Sequence, residues 1–489
     1  MRNRSVGVAL SYGRVVVNMV CGLLLSAVLL RVLGDAEYGV YQTVAAFANY
    51  LVLLEFGMGT VMVRNLSACR AADASREEIQ RQVGTLWTMA VCLGGVILAA
   101  AAVFYCLIPA VYAASMTATQ IAHGQQMFGV LTGVVVLSFL AQTVSGVLLA
   151  FEHYRFAAIE GTIRTALRAA VILAAVHWQK NAMVIAIADL IFSGLSLAAM
   201  AIYCRRKTGL KLWLGKPDGK ILRAALPLAM AIFLQAIVNQ ANNNVDKFLI
   251  GVLLTPESVS LYSVALYSYS VFSALTTVPI SLYGPKIQQC VEQSGDLMAQ
   301  LVPPCRLTAV MGGAVLFGFA AVGRPFIRLV YGESYLQAWA IALLLMGPMY
   351  LNAVTGPAVN GLDAKNKRMG RSWILLLTTA LNVVLTVFWL RQWGVLGAAA
   401  ATAVSTILGQ VVLGNWYYRR ALGIPVGKLY RQAFQGIWLW LILGCLAGAM
   451  VAHWMPHDLA ALLCGGCVFM ACLLPVVWQS KVYKKSERL

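Results

Sequence analysis

Arg164 and Arg168 stand four residues apart, with Glu160 one turn before them, so a helix would carry all three on one face. Two guanidinium groups in that register suit an oxyanion such as phosphate, because each planar fork donates paired hydrogen bonds and stays charged. A second polar cluster reads Asn239-Gln-Ala-Asn-Asn-Asn-Val-Asp246-Lys247. Its amides could line a cavity for hydroxyl groups, Asp246 could take a cation or a proton, and the whole run could equally be a hydrogen-bond network between helices. Arg14 and Glu55 each lie about eight residues inside neighbouring apolar runs, at one depth, where they could pair with each other. The candidate ligand-binding residues are therefore Arg14, Arg164, Arg168, Asn239, Asn243 and Lys247, and the candidate ion-coupling carboxylates are Asp246, Asp189 and Glu55.

The surroundings of these groups are overwhelmingly apolar. Of 489 residues, 60% are hydrophobic and 11% charged, whereas a soluble chain is about 45–50% apolar and about 25% charged. One aqueous core cannot hide that excess, so lipid must be the solvent for much of the surface. A hydrocarbon core of about 30 Å needs about 20 apolar residues per helix. On that ruler fourteen spans are expected, at roughly 6–32, 38–63, 83–108, 125–151, 158–178, 182–203, 222–253, 259–283, 303–330, 337–361, 371–391, 395–418, 433–454 and 458–480. The run Val15–Leu30 lacks a small-residue cleavage site and reads as the first span rather than a removable leader.

Charge orients the spans. Twenty-seven of the 37 Lys and Arg residues fall in one alternating set of loops and three (Arg31, Lys180, Arg391) in the other. Such a bias puts both termini on the cytoplasmic side. The net charge of +19 is then a topology signal with attraction to anionic lipid heads, and nucleic acid is not an expected partner. Seven basic residues stay within or at the edge of spans: Arg14, Arg164, Arg168, Lys247, Arg306, Arg324 and Arg328. A charge at a helix centre costs about 2.5–3.5 kcal/mol on insertion scales, so each must be paired, snorkelling or functional. For the fifth span, a Glu160–Arg164 pair with Arg168 snorkelling competes with a cationic stripe facing a water-filled cavity, which the reading favours. Arg324 and Arg328 are expected to snorkel.

Several chemistries are missing. Gly215-Lys216, Gly219-Lys220 and Gly427-Lys428 do not complete a phosphate-binding loop. The five histidines form no zinc pattern. Cys464-Gly-Gly-Cys467 lies mid-span, where Gly-Gly serves close helix packing. The longest outer loop, about Pro109 to Gly124, offers only His123 and Tyr112 as titratable groups. An enzyme is not expected, and neither is a cofactor; energy would come from a gradient, a partner or substrate consumption, with the membrane potential or a Na+ or H+ gradient as the candidates for the first.

The chain also repeats weakly. Leu30–Tyr41 matches Ile250–Tyr262, and Ser145–Arg155 matches Thr355–Lys365, at offsets of about 210–220. Six spans per half make the repeat parallel. Three parts are expected: 1–210 with spans 1–6, 211–420 with spans 7–12, and 421–489 with two further spans and a basic tail.

Leu29-Leu-Arg-Val-Leu-Gly-Asp-Ala-Glu-Tyr-Gly-Val-Tyr41, then Leu53-Leu-Glu-Phe-Gly-Met-Gly-Thr-Val-Met-Val-Arg64, resembles the opening of the bacterial O-antigen and capsule polysaccharide flippases. Asp246–Gly251 followed by Ser258–Tyr262 is similar to the second-half counterpart, and Glu55 stands where Asp is commoner. That family belongs to the multidrug/oligosaccharidyl-lipid/polysaccharide exporter superfamily. The resemblance implies an all-helical membrane protein of about 14 spans, with two six-helix lobes around a central cavity and two added C-terminal helices. It implies an inner-membrane flippase for polyprenyl-diphosphate-linked oligosaccharide, working by alternating access beside glycosyltransferases and a polysaccharide polymerase. A cation-coupled multidrug antiporter and a lipid II flippase are the alternatives. Drug export would want an acidic cavity, and the charge excess within these spans is basic.

Overall fold

The computed structural model describes residues 21–215 and 217–486, and every regular element among them is helical. By its contacts the chain divides into Met1–Ser260 and Leu261–Leu489. The first unit contains α1 (Cys21–Leu33), α2 (Asp35–Ala48), a 3-10 stretch (Asn49–Glu55), α3 (Met58–Ala71), α4 (Arg76–Tyr112), α5 (Ala118–Ala150), α6 (Tyr154–Trp178), α7 (Met183–Thr208) and α8 (Gly219–Leu253). The division falls in the first turn of α9 (Pro256–Glu292). There follow α10 (Leu297–Val330), α11 (Gln337–Thr355), α12 (Ala358–Ala364), α13 (Arg368–Ser405), a π-helical stretch (Thr406–Leu413), α14 (Gly414–Leu422), α15 (Val426–Phe434), α16 (Trp438–Trp454) and α17 (Asp458–Ser486).

Among the described residues, ten helical runs are long and apolar enough to cross a membrane, or eleven if the bent pair α15–α16 counts as one. The expected spans absent from that count have local reasons. Of the first, only the part within Cys21–Leu33 is described; the fifth, α6, carries Glu160, Arg164 and Arg168. Spans eleven and twelve form a single run, Arg368–Leu422, turned at Gly394, whose φ of 56° breaks the helix.

The repeat is visible in the backbone. Five non-glycine residues among those described have left-handed φ: Phe56, Asp73, Glu152, Ser294 and Asn366. Four of them close helices by the same device, in which the next N–H reaches back to a carbonyl five residues earlier. The bonds are Ala74 to Cys69 (3.0 Å), His153 to Leu148 (2.9 Å), Gly295 to Cys290 (2.9 Å) and Lys367 to Leu362 (2.8 Å). Asp73 and Ser294 are 221 residues apart and Glu152 and Asn366 are 214 apart, matching the sequence offset. Phe56 has no such counterpart.

Repeat order places α8 at the head of the second half, but its contacts group it with the first. Phe233 stacks on Phe56 with ring centres 4.5 Å apart, and Phe248 stacks on Phe47 at 5.9 Å. The linker before α8 lies along α4. The Gln80 amide donates to the Lys211 carbonyl (2.7 Å) and accepts from its N–H (2.9 Å). Asp218 caps α8, pairing with Arg81. The Lys220 N–H, with Arg81, holds the Asp218 carboxyl below its usual range.

In the second unit, Arg328 reaches Asp458 (3.2 Å) and Arg324 lies over the Trp339 ring at 4.3 Å, so neither only snorkels. α16 and α17 cross closely: a Cβ on Gly465 would sit 2.8 Å from the Gly448 carbonyl oxygen. Close packing is therefore what one glycine of Cys464-Gly-Gly-Cys467 serves, and both cysteines are free and exposed.

Candidate functional site

α6 and α7 are laced by their polar side chains. The Arg168 fork grips the Asp189 carboxylate, with Nη2 2.9 Å from Oδ2 and Nε bonded to Oδ1. Two turns away, the Ser196 hydroxyl donates to Glu160 (2.6 Å). Antiparallel helices produce this match, since Glu160 and Arg168 are eight residues apart on α6 while Ser196 and Asp189 are seven apart on α7. Between these levels Arg164 extends its Nε to 3.7 Å from Glu160. That distance permits an ion pair but is too long for a hydrogen bond, and the buried Nε has no hydrogen-bond partner.

Arg164 is also a wall of two cavities. The larger, about 610 Å³, is bordered by α3, α5, α6 and α7, with Gln142, Ser145, Glu160 and Ser196 among its lining residues. Glycine and alanine at Gly57, Gly59, Ala141, Ala157 and Ala158 leave it room. The smaller, about 300 Å³, is bordered by Cys21, Gly22 and Leu25 of α1 and by Arg164, Thr165, Arg168 and Ala169 of α6. Both arginines thus border cavities, and the Glu160–Arg164 pair forms as well. Arg168 does not snorkel, because Asp189 holds it.

A break in the second span shapes the large cavity. α2 gives way to the 3-10 stretch, Phe56 and Gly57 adopt left-handed φ of 48° and 62°, and α3 then begins. Gly57 approaches Ile232 of α8 so closely that a Cβ there would collide with its side chain. Broken spans of this kind persist only where they are buried in protein or line a cavity. Half-buried Glu55 ends the 3-10 stretch. Its expected partner Arg14 lies outside the described residues, as do the side chains of Asn239 and Asn243. Lys247 donates to Gln42 Oε1 (3.4 Å), whose amide donates to the Tyr38 hydroxyl (2.7 Å), tying α8 to α2. Asp246, half-buried, sits beside it on α8.

Sequence reasoning missed the α5 wall. Ser138, Gln142 and Ser145 recur at i, i+4 and i+7 in an apolar span, a stripe that could have marked a cavity face. Among the described residues, no group of three or more His, Cys, Asp or Glu could hold a metal.

A chain of apolar spans, some of them broken, with paired charges and cavities between its helices has the architecture of a multi-span membrane transporter. Its fold matches that of the lipid II flippase MurJ in an inward closed conformation, with a TM-score of 0.72 at 15% identity over 97% of this chain and 100% of that one. It also matches an inward-facing multidrug transporter of the MATE family, with a TM-score of 0.64 at 12% identity over 87% and 99%. These likenesses show the fold alone. Residues 28–340 match the family described as polysaccharide biosynthesis protein, and the chain belongs to that family. A probable low-salt glycan biosynthesis flippase, Agl15 of Haloferax volcanii, is 24% identical over 211 residues. That alignment covers 42% of this chain and 43% of the relative, so the chain spans less than half the length of the curated protein it matches.

Proposed function

We propose that the protein is a flippase that carries a polyprenyl-diphosphate-linked oligosaccharide from the cytoplasmic to the outer leaflet by alternating access, for surface polysaccharide such as O-antigen or capsule. One observation carries the reading: Arg164, within a span, lines two cavities, and its ion pair with Glu160 is made through Nε. A guanidinium there favours an anion, and a diphosphate supplies one. The likeness to a glycan biosynthesis flippase supports the same substrate class. A multidrug antiporter, which the MATE likeness keeps in view, would want an uncommitted carboxylate in the cavity, yet Glu160 is engaged by Arg164 and Ser196. The protein would lie in the inner membrane with cytoplasmic termini, near glycosyltransferases and a polymerase, and would move its substrate unchanged. Exporting an anion is favoured by an inside-negative potential, at about 2.3 kcal/mol per charge per 100 mV.

The test is the purified protein in sealed vesicles with a labelled lipid-linked oligosaccharide and a probe confined to one side. Labelled lipid should cross without ATP and respond to an imposed potential or ion gradient. Arg164→Gln should slow it severely while the protein stays folded. Vesicles that expel cationic dyes and ignore the glycolipid would favour the antiporter.

A further inference from the structure

The two cavities that share Arg164 differ in chemistry. The smaller presents Arg164, Thr165 and Arg168 and has no carboxylate among its lining residues. The larger sets the Glu160 carboxylate beside Arg164 and adds the Gln142 amide, the hydroxyls of Thr60 and Ser145, and Tyr154. A phosphate accepts hydrogen bonds and would be repelled by Glu160, whereas a cationic drug would be repelled by Arg164. A neutral polyhydroxylated ligand fits both, since each of its hydroxyls donates and accepts, and the wall offers an acceptor, a donor and groups that do both.

Gln142 strengthens the case. It lies eight residues before the end of α5 and is exposed, yet it lines the cavity, and its amide makes no hydrogen bond to any described residue. An amide within a membrane span needs a partner, and in this chamber the partner can be ligand or water. A volume of about 610 Å³ lies within the range of about 300–1,000 Å³ for small-molecule sites. That space suits one or two sugar rings better than a long glycan.

We propose that the larger chamber is a saccharide subsite that reads the sugar next to the diphosphate through its hydroxyls, with Arg164 at the junction between sugar and phosphate. The proposal rests on the flippase reading and adds a division of labour to it: Gln142, Ser145 and Glu160 for the sugar, the smaller cavity for the phosphates. Arg168, tied to Asp189, positions α6 against α7.

The experiment measures binding of two lipids to the full-length protein in nanodiscs: polyprenyl diphosphate carrying one glucose, and bare polyprenyl diphosphate. The wild type should prefer the sugar-bearing lipid by roughly tenfold, the size that one or two good hydrogen bonds provide. Gln142→Leu should collapse that preference toward unity, and Ser145→Ala should reduce it should the larger change unfold the protein. Glu160→Gln should tighten binding of the bare lipid, because it removes the carboxylate that competes for Arg164, while Arg164→Gln should weaken both lipids. Equal affinity of the wild type for the two lipids, or equal losses for both in Gln142→Leu, would overturn the subsite and leave the flippase standing. Failure of the wild type to bind either lipid would overturn the flippase reading itself.

Discussion

Rings pack in both units, but the interior polar links between spans carry charge in the first and are neutral amides and hydroxyls in the second. Arg168–Asp189 and Glu160–Arg164 join α6 to α7 and line α6, and Lys247 ties α8 to Gln42 of α2. In the second unit the Asn352 amide donates to Gln410 (2.8 Å) and the Asn382 amide to the Thr402 hydroxyl (2.8 Å). The Asn415 amide meets the Tyr430 hydroxyl (3.0 Å), which donates to the Leu351 carbonyl (2.8 Å). Phe434 packs between Tyr430 and Trp438, and Tyr350 donates to the Ala309 carbonyl (2.7 Å). Both arrangements give these side chains polar partners, although the Arg164 Nε and the Asn352 and Asn415 amide oxygens are buried without a hydrogen bond. Neutral pairs do so at low risk, because losing one partner strands only a dipole. A charged pair strands an ion, and proteins keep ions within membrane spans chiefly where they have work to do.

That contrast predicts unequal sensitivity. Asp189→Ala leaves the Arg168 guanidinium without its carboxylate. Breaking a buried pair costs about 3–5 kcal/mol. Since the Arg168 side chain is 32% exposed, water recovers part of that, and about 2 kcal/mol is expected. Thermal denaturation in detergent should show a clear fall, and exchanging the partners as Arg168→Asp with Asp189→Arg should restore much of it. A single variant as stable as the wild type would remove the distinction between the units.

Asn352→Ala breaks the corresponding neutral link and should cost about 1 kcal/mol, the net worth of one hydrogen bond with a modest penalty for stranding Gln410. Gln410 lies on the π-helical stretch. The same melting measurement should place this loss below that of Asp189→Ala, and the reverse order would mean that the second unit depends on its polar links as much as the first.

What the sequence made legible follows the same physics. Long apolar runs betray spans because lipid tolerates little else, and loop arginines stood apart for the same reason. Glu160 with Arg164 was readable because the i, i+4 rule is local. The grip of Arg168 on Asp189 was not, since it depends on how α6 and α7 pair across 21 residues of chain. The break at Phe56 and Gly57 was equally hidden: Phe56-Gly-Met-Gly59 reads as an ordinary apolar stretch within a span, and only the approach of Ile232 and the left-handed φ show why glycine is needed. Spans eleven and twelve merged into one run because the turn between them rests on Gly394 alone.

The smallest expected effect tests a feature that the two units share. Glu152 and Asn366 occupy matching left-handed positions, with φ of 63° and 54°. An L-residue pays about 1–2 kcal/mol to stand there, and asparagine pays less because its short side chain bonds locally. Glu152 is exposed, and its side chain makes no hydrogen bond or ion pair in this structure, so replacing it loses no contact. Glu152→Gly should therefore stabilise the protein, by about 0.5 kcal/mol once the added freedom of glycine in the unfolded chain is counted. Asn366→Gly should change the melting midpoint hardly at all. Equal gains at both positions would show that the side chain is irrelevant to the left-handed cost. A loss at Glu152 would show that its carboxylate has a partner in the membrane-embedded protein, and the two loops would then be alike in backbone but different in use.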